Sequence, residues 1–140
     1  MTDADITTIP SAHGVSTTID RLASLAASRG MHIFARIDHG RGAADVGLAL
    51  RATQLLIFGH PRGGTPLMQD RQIAGLDLPL RALAWQDEAG GVHLSYCSGS
   101  AIALRHRLTA ASRAAVEAID RGMGVLCALA AGEDALPGAE

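Results

Sequence analysis

The sequence predicts an α+β fold with the element order β-α-β-β-β-β-α, in which an antiparallel sheet carries helices packed on one face. Two observations support this prediction. Apolar residues at helical spacing occur near the start and near the end of the chain, and the middle holds short segments with the alternating or unbroken apolar patterns of strands. Because strands and helices do not alternate after the first unit, neighbouring strands are expected to pair antiparallel in a meander.

The first part of the chain predicts a strand, a helix and a second strand. The β-branched residues 6–9 favour a short strand that ends at Pro10. Val15, Ile19 and Leu22 recur at helical spacing, and Gly30 ends the helix. Residues 31–38 then alternate as a strand does. One face of this strand is predicted to carry Met31, Ile33, Ala35 and Ile37, and the other His32, Phe34, Arg36 and Asp38.

The next segments predict a central strand and a glycine-rich connection. Residues 39–50 are expected to form a loop with one short helical turn, and the unbroken apolar run 55–58 suits a central strand. Residues 58–68 are interpreted as a tight glycine–proline turn in which Gly63 or Gly64 adopts a positive φ, although converging backbone N–H groups at 62–65 would also suit a small anion.

The last third of the chain predicts a hairpin and two helices. Residues 80–86 and 92–97 alternate on either side of the turn 87–91, which indicates a β-hairpin. A short helix is predicted over 101–108 and a longer one over about 112–131, followed by a frayed tail over 133–140.

The length and charge of the chain limit the classes of protein to which it can belong. A chain of 140 residues fits a single domain, 1–140. The formal net charge of −2 comes from scattered residues, so a nucleic-acid partner is not expected. The acidic start, 1–5, lacks the features of an export signal, and no apolar run is long enough to span a membrane, which favours a cytoplasmic location. In that setting Cys97 and Cys127 are predicted to be reduced thiols.

Several motifs occur in the order of a known family. They cover residues 36–39, 46–48, 56–59, 64–68, 75–80, 85–87 and 95–96. Together they resemble the domain of unknown function family 302 over a family-like core of about residues 6–108. The resemblance implies a β-α-β4-α fold similar to the TATA-binding-protein-like architecture, a homodimer and no established reaction. The chain departs from the family pattern at His60 and Arg62, where asparagine and lysine are common, and at residues 97–99, where an asparagine–aspartate–proline turn is common.

The meander predicts which polar residues meet. His60, Arg62 and Cys97 are expected at one end of the sheet, joined by Arg105 and His106 from the helix that follows. His39 is expected at the other end, about 20 Å away, so a metal shared by His39 and His60 is not predicted, and no other metal site is predicted. The candidate ligand-binding residues are His60, Arg62, Thr65, Met68, Asp77 and Tyr96. Asp77 is also expected to accept hydrogen bonds from nearby backbone N–H groups.

Two functional hypotheses follow. The first is an uncharacterised small-ligand-binding or structural homodimeric domain, whose ligand is a small molecule or anion and whose cofactor is unknown. The alternative is a thiol-dependent or redox-linked enzyme centred on Cys97, with His60 or His106 as the base and Arg105 as the charge partner, since a nearby positive charge lowers the pKa of a thiol.

Overall fold

The computed structural model describes residues 5–136. Most of the acidic start and the last four residues of the predicted tail lie outside this range. The strands are β1 (Ile6–Ser11), β2 (His32–Asp38), β3 (Thr53–Gly59), β4 (Leu80–Gln86) and β5 (Val92–Cys97). The α-helices are α1 (Val15–Ser28), α2 (His39–Asp45), α3 (Pro61–Asp70), α4 (Gly99–His106) and α5 (Arg113–Ala131), and short 3-10 helices cover Gln72–Asp77 and Ala110–Ser112.

The five strands form one sheet in the order β1-β5-β4-β3-β2, and each neighbouring pair is antiparallel. Strands β2 to β5 follow one another as a meander, and β1 pairs with β5 at the edge. This arrangement confirms the predicted α+β class and the antiparallel sheet.

The core lies between one face of the sheet and helices α1 and α5. Helix α1 buries Ile19 and Leu22 at helical spacing, and α5 buries Met123 and Leu126 in the same cluster. The sheet contributes side chains that alternate along three strands, namely Leu56, Phe58, Ala82, Ala84 and Leu94. Burial of this aliphatic surface provides the main driving force for folding.

Arg21 of α1 holds the end of α5. Its Nε donates to the carbonyl oxygen of Ala130 at 2.8 Å, and its Nη2 donates to those of Leu129, Gly132 and Asp134 at 2.9, 3.1 and 2.7 Å. The last carbonyls of a helix lack partners within it, and a cation there also favours the helix dipole. One guanidinium therefore fixes both α5 and the first residues that follow it.

A β-bulge changes the predicted faces of β2. Ile33 lies opposite Phe58, but Ala35 lies opposite Ile57, so Phe34 is an extra residue without a partner in β3. The predicted alternation is correct for Ile33 and wrong beyond Phe34, because one inserted residue moves every later side chain to the other face. Ala35 and Ile37 consequently lie on the face of the sheet that α1 and α5 leave open.

The glycine–proline segment is a helix, so the prediction of a tight turn is wrong. Pro61 begins α3, where its missing N–H has no intrahelical role, and the side chain of His60 caps the helix. Among the described residues the glycines with positive φ are Gly30, Gly47 and Gly90, which shows that Gly63 and Gly64 do not need that conformation. Most of the predicted loop 39–50 also forms a helix, α2, which Asp38 caps through the N–H of Arg41 at 2.9 Å.

Candidate ligand-binding cavity

A cavity of about 390 Å³ lies at the end of the sheet where β3 ends and β4 begins. It is bordered by helices α3 and α5, by the segment after the 3-10 helix and by the start of β2. Its apolar side chains are Met31, Phe34, Pro61, Met68, Leu78, Pro79, Leu80, Ala118, Ile119 and Met123. His60 and Thr65 supply the polar side chains among the described residues that line it, so the cavity is an apolar site with two polar groups.

Glycines leave the space for this cavity. The lining includes Gly59, Gly63, Gly64, Gly75 and Gly122. A Cβ atom added at Gly63 or Gly122 would meet nothing within 4 Å, whereas one at Gly64 would lie 3.3 Å from Cδ1 of Leu78. Gly122 therefore lines the cavity and borders open space, so a Cβ atom could be added there without a clash.

The cavity collects most of the methionines of the chain. Of the four methionines in the sequence, Met31, Met68 and Met123 line it, from the residue before β2, from α3 and from α5 respectively. Methionine is flexible and polarisable, so its side chain adapts to irregular apolar surfaces. The walls of the cavity can therefore adjust to a bound molecule.

His60 is fixed by its role as the cap of α3. Its Nδ1 accepts a hydrogen bond from the N–H of Arg62 at 3.0 Å. A ring nitrogen that accepts carries no proton, so the proton of the neutral imidazole is on Nε2. His60 therefore offers an N–H donor at the side of the cavity.

The same cap uses the backbone N–H groups that had suggested an anion site. The N–H of Gly63 and that of Gly64 both donate to the carbonyl oxygen of His60, at 2.9 and 3.3 Å, and the N–H of Arg62 donates to the ring. Because these three donors have partners within the helix, the segment does not form the converging set of N–H groups that holds a phosphate.

Phe34 reaches the cavity because of the bulge in β2. As the extra residue of the bulge, Phe34 lines the cavity although it is 52% exposed. The centroid of its ring lies 4.5 Å from that of His32, in an edge-on arrangement. Bulges redirect side chains in this way. Phe34 thus lies at the border between the cavity and solvent.

Asp77 has a different partner from the one predicted. Its Oδ2 lies 2.6 Å from Nε2 of His106, which is 7% exposed, and its Oδ1 lies 3.3 Å from Nη1 of Arg105. The carboxylate therefore joins the 3-10 helix to α4 through side chains, in place of the predicted bonds to backbone N–H groups. Two side chains predicted to assist Cys97, His106 as a base and Arg105 as the charge partner, are therefore engaged by this carboxylate.

Cys97 lies at the predicted end of β5, but its surroundings disfavour a thiolate. Burial raises the pKa of the Cys97 thiol, the carboxylates of Asp77 and Asp5 raise it further, and Arg81 and Arg105 only partly oppose them. Burial also raises the pKa of Cys127, to about 12. Neither cysteine has the lowered pKa that a reactive nucleophile requires.

The six ligand-binding candidates fall into two groups. His60, Thr65 and Met68 line the cavity, whereas Arg62, Asp77 and Tyr96 are not part of its lining. Tyr96 packs against the core, and burial raises the pKa of its hydroxyl. His39 begins α2 at the opposite end of the sheet from His60, as predicted. Within residues 5–136 no cluster of three or more histidine, cysteine or acidic residues could hold a metal ion.

Sequence reasoning missed the part of the site contributed by α5 and β2. A helix was predicted over about 112–131 and Phe34 was expected on a strand face, but neither pattern indicates a cavity. The available signal was Gly122, a residue that weakens a helix and so suggests a local requirement for space.

A five-stranded antiparallel sheet with helices packed against it places the chain among small α+β domains. The chain belongs to the family described as Domain of unknown function DUF302, whose model matches residues 7–126. A chain from the crystal structure of an uncharacterised conserved protein DUF302 from Bacillus stearothermophilus has the same fold, with a TM-score of 0.72 and 16% identity over 91% of this chain and 95% of that chain. The resemblance found in the motifs is confirmed.

Curated relatives are longer than this chain. It is 47% identical over 131 residues to "Fluoride-specific ion channel FluC 1" of Brucella suis biovar 1 (strain 1330), a match that covers 94% of this chain and 52% of the relative. The protein of the same name from Brucella abortus biovar 1 (strain 9-941) is also 47% identical, with 48% of its length covered. The chain thus spans about half the length of these relatives. None of the helices described for residues 5–136 has the length and apolar character needed to cross a membrane.

Proposed function

We propose that this domain binds a small, mainly apolar molecule in the cavity beside α3. The observation that carries the proposal is a cavity of about 390 Å³ with apolar walls and two polar side chains at one side. Ligand sites in proteins have this size and composition, since apolar walls bury the ligand and a few polar groups orient it. Fluoride-channel activity is not carried over, because about half of each relative of that name lies outside the match.

Two glycines of α5 provide a matched test. Gly122 lines the cavity and Gly124 does not, although an added Cβ would meet no atom within 4 Å at either position. A screen of small uncharged compounds by ligand-observed NMR is expected to find binders for the native chain and for Gly124→Leu that are lost in Gly122→Leu. Sodium fluoride, tested in the same way by thermal shift, is expected to leave the melting temperature unchanged. Equal binding by both leucine variants would contradict the proposal.

We also propose that the open face of the sheet joins a second copy of the chain. Residues opposite each other on neighbouring strands point to the same face, and Ile37, Leu55 and Leu83 lie in one such row across β2, β3 and β4. Ala35, Ile57 and Trp85 extend this largely apolar surface, in which Arg81 lies opposite Ile57. A solvated face of an antiparallel sheet is normally polar, so an apolar one favours a partner. The family resemblance, which implies a homodimer, favours a second copy as that partner.

Light scattering during size-exclusion chromatography tests the dimer. The native chain is expected to elute as a dimer, and Leu83→Lys as a folded monomer, because a lysine at the centre of the contact would be buried without a counterion. Ile73→Lys is the control, since Ile73 is 52% exposed on the 3-10 helix, away from the sheet. A native chain that stays monomeric at all concentrations would exclude this assembly.

A further inference from the structure

We propose that the ligand of the cavity is an uncharged aromatic molecule with one hydrogen-bond acceptor directed at His60. This inference rests on the proposed binding function and specifies the class of compound. Three properties of the residues that line the cavity support this proposal, namely their lack of charge, their sulfur atoms and their hydrogen-bond donors.

The lining excludes a charged ligand. No aspartate, glutamate, lysine or arginine is among the described residues that line the cavity, and Nδ1 of His60 is occupied by the hydrogen bond from the N–H of Arg62. A charged group moved from water into apolar surroundings loses hydration, and nothing here would replace it. The bound molecule is therefore uncharged.

The methionines favour an aromatic ring. Met31, just before β2, and Met68 and Met123, from α3 and α5, line the cavity, so a ligand between them would have thioether groups on several sides. Sulfur atoms make favourable contacts with aromatic rings, often at the ring edge. Phe34 adds an aromatic ring at the border of the cavity, where it can stack on the ligand or meet it edge-on.

The polar groups fix the orientation of the ligand. With Nδ1 of His60 bonded to the N–H of Arg62, Nε2–H is the ring donor left for a bound molecule. Thr65, five residues further along α3, also lines the cavity, and its hydroxyl is a second potential donor. A carbonyl or ether oxygen on the ring would therefore bind next to His60.

Four compounds of similar size separate these properties in NMR titrations of the full 140-residue chain. Acetophenone is expected to bind best. Ethylbenzene, which lacks the acceptor, should bind about fivefold to tenfold more weakly. Cyclohexyl methyl ketone, which lacks the ring, should also bind more weakly, and benzoate, which is charged, should not bind detectably.

Two variants of His60 test the donor without removing the cap. Both asparagine and aspartate are good helix caps, but only asparagine keeps an N–H donor. His60→Asp should therefore lose acetophenone binding by more than about tenfold, while His60→Asn loses less, and both should remain folded by circular dichroism.

The outcomes separate the ligand class from the binding function. If cyclohexyl methyl ketone or benzoate binds as well as acetophenone, and Gly122→Leu abolishes that binding, the aromatic or uncharged class is wrong and the cavity still binds ligands. If His60→Asp binds acetophenone as well as His60→Asn does, the role of His60 is wrong. If no compound binds, the ligand class is overturned, and the wider screen with the two glycine variants decides whether the cavity binds anything.

Discussion

The Oδ2 atom of Asp77 lies 2.6 Å from Nε2 of the buried His106. This contact joins the end of the 3-10 helix Gln72–Asp77 to the end of α4. Gly75 and Leu78, on either side of Asp77, both line the cavity. The pair therefore supports the wall of the cavity that contains Gly75 and Leu78, and a residue expected to bind nearby backbone N–H groups instead links two helices.

Loss of His106 should destabilise the fold. His106→Ala leaves the Asp77 carboxylate with Arg105 as its remaining side-chain partner among those described, so the free energy of unfolding is expected to fall by about 1–3 kcal/mol in urea titrations. His39→Ala, at an exposed position of α2, should change it by less than about 0.5 kcal/mol. Equal effects of the two substitutions would argue against the role of the Asp77–His106 pair.

Loss of Arg21 should loosen the end of α5. Arg21→Ala removes the donors to four carbonyl groups, and the expected cost is about 1.5–3 kcal/mol. Hydrogen exchange should also become faster near residues 129–134 than in α1. Arg29→Ala, which changes an exposed arginine just after α1, is the comparison and should have little effect. Unchanged stability in Arg21→Ala would mean that the guanidinium is not needed at this helix end.

The contribution of the His60 cap to stability can be measured separately from ligand binding. His60→Ala removes the acceptor for the N–H of Arg62 and should lower the free energy of unfolding by about 1 kcal/mol. His60→Asn supplies another capping oxygen and should restore most of that loss. Thermal unfolding without ligand measures both. Equal melting temperatures for the alanine and asparagine variants would show that His60 does not act as a cap.

The Asp70 carboxylate should contribute to stability in a pH-dependent way. It accepts hydrogen bonds from the hydroxyl of Ser112 and from the N–H and hydroxyl of Thr109, and these bonds lower its pKa from the usual 3.8. A carboxylate with a lowered pKa in the folded state stabilises the fold above pH 3.8, and this stabilisation is lost as the pH falls through the lower folded value.

Asp70→Asn should therefore reduce the stability at pH 6 and make its decline below pH 4 less steep. Urea titrations across pH 2.5–6 measure this difference. Asp45→Asn, at an exposed position of α2, serves for comparison and should leave the pH dependence as it is in the native chain. A parallel decline in the native chain and Asp70→Asn would mean that the Asp70 bonds do not depend on its charge.

Cys97 should react slowly. Because burial and nearby carboxylates raise the pKa of its thiol, the thiolate fraction at neutral pH is smaller than that of an exposed model thiol. Iodoacetamide should label Cys97 in folded Cys127→Ala more slowly than it labels free N-acetylcysteine. Faster labelling would support the alternative hypothesis of a thiol-dependent enzyme centred on Cys97.

The sheet could be predicted from the sequence because its signals are local. The alternating residues of β4 and β5 and the apolar run of β3 occur where expected, and the meander correctly separated His39 from His60. The bulge at Phe34 could not be predicted, since an inserted residue leaves the alternation of residue types unchanged and alters only the pairing with β3.

Helix α3 was missed because its composition is typical of a turn. Gly63, Gly64 and Pro66 all disfavour a helix, yet the cap at His60 and the burial of Leu67 in the core offset their cost. The cavity could not be predicted from the sequence either. Its walls come from segments far apart in the chain, and Met31 and Met123 line one cavity only once the whole fold has formed.

The methionine methyl groups allow the most direct test of the proposed binding site. In a chain labelled with ¹³C at these methyls, a mixture of small uncharged compounds is expected to shift the signals of Met31, Met68 and Met123, and the Gly122→Leu substitution should abolish the shifts. Each signal can be assigned by a single change to leucine. Signals that stay unchanged in the native chain, or that shift equally in Gly122→Leu, would contradict a ligand site in this cavity.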